Sequence, residues 1–430
     1  MPLIRKIHAR EVFDSRGRPT VEVDVACDGG FGRAIVPSGA STGSHEAHEL
    51  RDADMGRYQG LGVTTAVNNV NTEISDFIVG MDAAEQDEID QGLINLDGTS
   101  NKVRLGANAI LGVSLAVAHA AAAAAHQPLY QYLNDDATMT IPVPMVNIIS
   151  GGLHANRNLD FQDYLVMPVG AASFHQAMEW VSSIRDKTMI HLQQSGFSTL
   201  LADEGGFGPL LKSNEQSLDI ICSAIDESGL IPGDDVYLAI DVAAQHFYTD
   251  RQYQIAAEKR ALDSKQMVEW LSTMSTRYPI LSIEDGLAED DWEGWSLLTN
   301  EIGKTVQVLG DDLFTTNPDR IQHGIDQGAS NAALIKVNQI GTLSEALQAL
   351  KLAKTANLLT VVSARSGESE DSTIADIAVA SGSGQIKIGS IARSERGAKY
   401  NQLLRIEEEL GAHAVYAGAT EFDRFTIPSS

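Results

Sequence analysis

The sequence predicts an α/β fold: a β/α barrel preceded by a smaller α+β N-terminal domain. From about residue 139 to 410, short apolar runs alternate with helix-length stretches, the rhythm of repeating strand–helix units. Seven of these runs end on a charge: STLLADE at Glu204, VYLAID at Asp241, PILSIE at Glu284, VQVLGD at Asp311, NAALIK at Lys336, TVVSAR at Arg365 and GQIK at Lys387. A charge directly after a buried strand is costly to keep without a partner, and in a parallel barrel all C-terminal strand ends open on one face. These seven side chains are therefore expected in one pocket. Ahead of residue 138 the pattern is instead period-two alternation followed by helices.

Taken in order, the stretch from Ile4 to about Pro37 alternates, with VEVDVACDGG turning into FGRAIVPSG as in antiparallel strands joined by a Gly-Gly hairpin. A helix is expected from about Thr64 to Phe77. A second, LGANAILGVSLAVAHAAAAAAH, is apolar on nearly all faces and reads as a buried helix. The division near 138 gives an N-terminal domain over 1–138 and a barrel over 139–430. IPVPMVNIISGG opens the barrel with a proline-bounded strand. A doubly wound open sheet alternates in the same way, but its usual Gly-rich phosphate loop after the first strand is missing.

At 430 residues the chain is long enough for a barrel with an added domain, and 43% hydrophobic with 21% charged residues is ordinary for a globular protein. The formal charge of −27 argues against nucleic-acid binding, which needs a basic stripe. If the substrate is an anion, local cations must overcome that field, an indirect pointer to bound metal. The alanine-rich run around Ala116 to Ala125 is broken by His119 and His126, so no membrane span is expected. The first residues lack the apolar core of a signal peptide, which points to the cytoplasm. Cys27 and Cys222 suit neither a disulfide framework nor a zinc spacing.

Asp241, Glu284 and Asp311 come from successive strand ends and offer hard oxygen ligands alone, the set magnesium prefers. Strand alternation turns their neighbours Asp285 and Asp312 away from that set. Lys336, at a buried strand end near metal, is expected to have its neutral form favoured, the condition for a general base. Lys387 is a second such lysine. Arg365 and Ser366 combine a guanidinium fork with a hydroxyl suited to a phosphate or carboxylate. Structural salt bridges to the acids are the plainer alternative for all of these. Two loops have the composition of lids: PSGASTGSHE, with Ser41, and SGGLHANRNLDFQDY, with His154, Gln162 and Asp163. LRIEEELG reads as a charged helix with a solvated face or a subunit contact.

The motifs DSRGRPTVEV, PSGASTG, LGANAILGVSLAVA, DEGGFGP, SIEDGL, GDDLFTTNP, LIKVNQIGT, RSGESED, GQIKIGS and NQLLRIEEELG occur in this order, and in them the chain resembles the enolase family over nearly its full length. The resemblance implies an atypical, TIM-like β/α barrel and at least a homodimer. It implies the glycolytic and gluconeogenic interconversion of 2-phosphoglycerate with phosphoenolpyruvate and water, with two Mg2+ in each active site. Lys336 then resembles the base that removes the carbon-bound proton, and Glu204 the acid that protonates the departing hydroxyl. Asp241, Glu284 and Asp311 resemble the ligands of the tightly held magnesium, and Ser41 meets the second. His154, Gln162, Asp163, Arg365, Ser366 and Lys387 resemble substrate-binding positions.

The chain departs from that pattern at Asp163, where the family has a glutamate, and at Ala364, where it has a histidine. Gln245-His246, Gly208-Pro209-Leu210, Arg18 and Ser150 also differ. These changes cluster on the substrate's hydroxymethyl side and leave the metal and base sets whole. They keep two alternatives open: a paralogue dehydrating a related phosphorylated or phosphonylated hydroxy acid, and a non-catalytic binding relative.

Overall fold

The computed structural model describes residues 1–40, 43–134 and 138–426. The alternating N-terminal segment forms three antiparallel strands, β1 (Ile4–Phe13), β2 (Pro19–Cys27) and β3 (Gly30–Ile35), in that order. The β2–β3 turn is Asp28-Gly29, and Gly29 takes φ 86°, a left-handed conformation that costs a glycine no steric penalty. The apolar helix spans Ala107–Ala124 and lies across β2 and β3. A Cβ on Gly30 or Gly32 would collide with its backbone at Ala120 and Ala116, so these glycines set how closely sheet and helix approach. One expectation is corrected here. By length and composition this helix, with mean hydropathy 1.6, passes the test for a membrane span. However, 83% of it is buried within the protein, and His119, which was expected to break the run, is tucked inside with Nε2 2.8 Å from Thr373 Oγ1.

The barrel is closed and eight-stranded. It opens with β4 (Val143–Ser150) and β5 (Asp163–Met167), continues with β6 (Tyr237–Asp241), and is interrupted by a small surface sheet of β7 (Tyr248–Thr249), β8 (Gln252–Ile255) and β9 (Arg260–Leu262). It closes with β10 (Ile280–Glu284), β11 (Gln307–Gly310), β12 (Ala332–Ile335), β13 (Leu359–Ser363) and β14 (Gly384–Gly389). The strands pair in parallel except that β5 runs against both β4 and β6, so the barrel is atypical. Because β5 is reversed, its first residue, Asp163, lies at the end where the other strands finish. Met145, Leu165, Ala239, Leu281, Leu309, Leu334 and Val361 fill the interior together with Phe422 and Phe425. The mouth is left to polar groups.

STLLADE is not a barrel strand. Within it the chain makes an isolated bridge from Leu201 to Phe207, and Leu200 and Leu201 are 79% and 39% exposed. The apolar residues that suggest a strand face outward, and the hairpin partner β5 takes the barrel position instead. Glu204 therefore enters the mouth from a loop. The other charges hold close to their expected places: Asp241 and Glu284 end their strands, Asp311 and Lys336 follow theirs by one residue and Arg365 by two, while Lys387 sits inside β14.

Candidate active site

A small cavity of about 30 Å³ at the barrel mouth is lined by His154, Gln162, Glu204, Asp241, Asp311, Lys336, Ala364, Arg365, Ser366 and Lys387, with Asp285, Asp312 and His246. Six of the seven strand-end charges line it, and the seventh, Glu284, is held against Lys387.

Lys387 Nζ lies 2.8 Å from Asp241 Oδ2 and 2.6 Å from Glu284 Oε2. Lys336 Nζ lies 2.5 Å from Asp311 Oδ2, whose other oxygen accepts from Gln339 Nε2 at 2.9 Å. Each of the three hard-oxygen carboxylates is thus paired with a lysine. Lys336 is expected to be neutral in a site with metal bound; here it is paired with Asp311 instead. Burial does press its ammonium towards the neutral form, but the Asp311 carboxylate more than offsets this, and the lysine stays charged above its usual range. Asp311 is correspondingly held below the ordinary carboxylate range against its own burial, chiefly by Lys336.

One correction concerns Asp285 and Asp312. Asp285 follows β10 with φ 45°, so strand alternation has already ended there. Its Oδ1 and Oδ2 accept from the backbone N–H groups of Asp311 and Asp312 at 2.9 and 2.8 Å, and oxygens of the three acids gather within 4.8 Å of one another. Burial, then the neighbouring acids, push Asp285 well above the carboxylate range and Asp312 up to about 7.

Arg365 donates to both oxygens of Glu46 at 3.0 and 3.2 Å and to Asn338 Oδ1 at 2.9 Å. Ser366 Oγ accepts from Ala40 N–H at 2.7 Å, which brings the first lid loop onto the anion-binding pair. Ser41 lies outside the described residues. Gln162 Nε2 is 3.3 Å from Asp241 Oδ2, and Gln162 Oε1 is buried without a partner among the described residues.

Asp163 is fully buried and sits behind the cavity wall rather than on it. Its Oδ2 is 2.8 Å from His154 Nδ1, and its Oδ1 accepts from Asn147 Nδ2 and Ser150 Oγ. Asp163, expected among the substrate-binding positions, is separated from the cavity by the His154 ring, which lies on the cavity lining. The ring's Nε2 faces Glu204 Oε1 at 3.8 Å. Burial opposes the imidazolium, but Asp163 and Glu204 hold it charged up to about 9. Glu204 lies below the carboxylate range: burial opposes its charge, and His154, Arg396 and both lysines outweigh burial.

The chemistry of the donor set fits a magnesium-type cation. Asp241, Glu284 and Asp311 offer oxygen alone, and Glu284 Oε1 is buried without a partner among the described residues. Asp241, Glu284 and Asp311 share only two lysines, and Glu284 stays well above the carboxylate range, chiefly from burial and then from Asp241, so a cation on these oxygens would relieve the remaining repulsion. Sequence reasoning missed Asp285, Asp312, Glu46, Gln339 and Asn147. Asp285 and Asp312 carried a signal as neighbours of the strand-end acids but were assigned the wrong direction, and Glu46 carried one as the last residue of the first lid loop.

Family models match both parts of the chain. One, described as enolase, N-terminal domain, matches residues 4–133. The other, enolase, C-terminal TIM barrel domain, matches residues 138–425.

Proposed function

The chain belongs to the enolase family, whose members are hydro-lyases, and from that premise we propose that it dehydrates 2-phosphoglycerate to phosphoenolpyruvate, reversibly and with Mg2+. One observation carries the reading: a lysine and a trio of hard-oxygen acids converge with a second lysine and an arginine at one barrel mouth.

Lys387, Arg365 and Ser366 are suited to bind the substrate's anionic groups, and Gln162 to orient them. Mg2+ held by Asp241, Glu284 and Asp311 supplies, when bound, positive charge opposite the substrate carboxylate as electron density builds on it. Lys336 takes the carbon-bound proton at Nζ, acting as a neutral amine, which requires Asp311 to be engaged elsewhere. Glu204 and His154 stand at the leaving-group end, where the departing hydroxyl needs a proton. A homodimer in the cytoplasm is part of the same proposal.

A second reading, a related phosphorylated or phosphonylated hydroxy acid as substrate, is favoured by the leaving-group side: the cavity wall carries the Ala364 methyl, and Asp163 is withdrawn behind His154. Steady-state turnover of 2-phosphoglycerate tests both. Turnover of about 10 s⁻¹ or more, the ordinary enzyme range, supports the first; a rate thousands-fold lower supports the second. Loss of activity without Mg2+ is expected in either case.

A further inference from the structure

The helix Ser394–Leu410 carries Arg396, Lys399 and Tyr400 at i, i+3 and i+4 on one buried face, which continues as Leu403 and Ile406. Arg396 is 0% exposed and Lys399 1%, and a charge buried that far is kept only where hydrogen bonds or counter-charges hold it. Arg396 is held mainly by main-chain oxygens. Its Nη1 donates to Arg365 O at 2.6 Å and to Ile388 O at 2.9 Å, and its Nη2 to Ser366 O at 2.6 Å. Glu395 Oε1 stands further off, 3.7 Å from Nε. One planar fork thus ties the residues after β13 to β14 just beyond Lys387. Lys399 Nζ donates to Ser369 O at 2.9 Å and lies 2.8 Å from Glu368 Oε2, while Glu368 Oε1 accepts from Arg365 N–H at 2.9 Å. The opposite side of this segment meets the first lid loop, through a Ser38–Gly367 bridge and the Ala40 bond to Ser366 Oγ. Neither Arg396 nor Lys399 lines the cavity.

We propose that Arg396 and Lys399 are positioning residues for the anion-binding pair Arg365 and Ser366, and so set the affinity for the substrate's phosphate. The inference rests on the proposed function, which gives that pair the anionic group, and deepens it. A guanidinium and a hydroxyl grip one tetrahedral anion only where the main chain fixes the origin of both side chains. The carbonyls of those two residues are the ones Arg396 holds, and the N–H of the first is held by Glu368 under Lys399. A lysine at 396 keeps the charge but lacks the fork, so it cannot serve the Arg365, Ser366 and Ile388 carbonyls together.

The test uses the full chain with Mg2+, comparing wild type with Arg396→Lys, Lys399→Met and Leu403→Ala, the last a control for loosening the same helix. Calorimetry with inorganic phosphate gives Kd, steady-state turnover of 2-phosphoglycerate gives kcat and KM, and urea unfolding gives stability. Arg396→Lys is expected to raise Kd and KM together by about tenfold or more, with kcat within about threefold. Lys399→Met should move both in the same direction by about threefold. Leu403→Ala should lower stability and leave Kd and KM in place. Unchanged Kd and KM in Arg396→Lys, or an equal rise in Leu403→Ala, overturns the positioning role. Should Arg396→Lys fail to fold, Lys399→Met decides, and an unchanged phosphate Kd there overturns the proposal. A wild type that binds phosphate without turning over 2-phosphoglycerate removes the dehydration reading alone, and the phosphate series still decides the positioning role. A wild type that binds neither overturns both.

Discussion

Replacing Lys336 by methionine keeps the length of the side chain, removes its charge, and separates stability from chemistry. The Lys336–Asp311 pair is nearly buried, at 13% and 11% side-chain exposure, so removing one partner leaves a carboxylate in low dielectric. Breaking such a pair costs about 3–5 kcal/mol; Asp311 keeps its bond from Gln339, which points to the lower end, about 3 kcal/mol. Urea unfolding in EDTA should show that loss. Added Mg2+ should restore much of it, because the variant offers the cation a trio that no longer has to give up Lys336. Saturation at a hundredfold over Kd contributes about 2.7 kcal/mol in any protein, and the gain in the variant should exceed that in wild type. Exchange of the substrate's carbon-bound proton, followed by NMR in D2O, should fall by about 10²–10⁴-fold. A variant as stable as wild type in EDTA, or one gaining no more from Mg2+ than wild type, would refute the ion-pair account. Undiminished exchange would remove Lys336 as the base.

Calorimetry should show 2-phosphoglycerate binding at least tenfold more weakly in EDTA than in Mg2+, and Asp241→Asn should lose most of that difference; metal-independent binding would contradict the charge argument. If the wild type turns 2-phosphoglycerate over slowly, Ala364→His combined with Asp163→Glu should raise the rate by tenfold or more in steady-state assays, and no gain would count against a reshaped pocket. Asp376, buried and bonded to Gln402, has its carboxyl raised to about 7, so the folded state holds a proton that the unfolded chain has released. Its contribution is greatest below the unfolded value near 4 and is lost as pH rises through 7. Asp376→Asn should therefore gain stability over wild type between pH 5 and 9, by on the order of 2–4 kcal/mol at the upper end, and a pH-independent difference in urea unfolding would contradict this.

The barrel and most of its mouth were legible because each strand's period and terminal charge are local properties. Asp241, Glu284, Asp311, Lys336, Arg365 and Lys387 could be collected from one pattern. Glu204 was placed on a strand because STLLADE has the right composition, and composition carries no record that Leu200 and Leu201 face outward. Asp285 was sent the wrong way by an alternation rule that expires with the strand, one residue before it. The Glu46–Arg365 pair and the Asn147–Ser150–Asp163–His154 chain join segments distant in sequence or on different strands, and such pairings are settled by topology. The reversal of β5 is the clearest case. No residue of DYLVM distinguishes a strand running up from one running down, yet that direction decides whether Asp163 is at the mouth or the floor.

The lysines explain how a chain with a charge of −27 keeps so many acids at one point. At an effective dielectric of about 20, two like charges 4 Å apart repel by about 4 kcal/mol, so Asp241, Glu284 and Asp311 cannot remain together and ionised without a counter-charge. Lys387 bridges two of them and Lys336 takes the third. Even so, Glu284 stays well above the carboxylate range, from burial and then from Asp241, so the compensation is partial. A divalent cation held by the same oxygens would supply the counter-charge that the two lysines provide only in part. On the proposed function, Lys336 would be free to act as base only once Asp311 has another partner, so the same oxygens that would hold the metal also set the charge on the base.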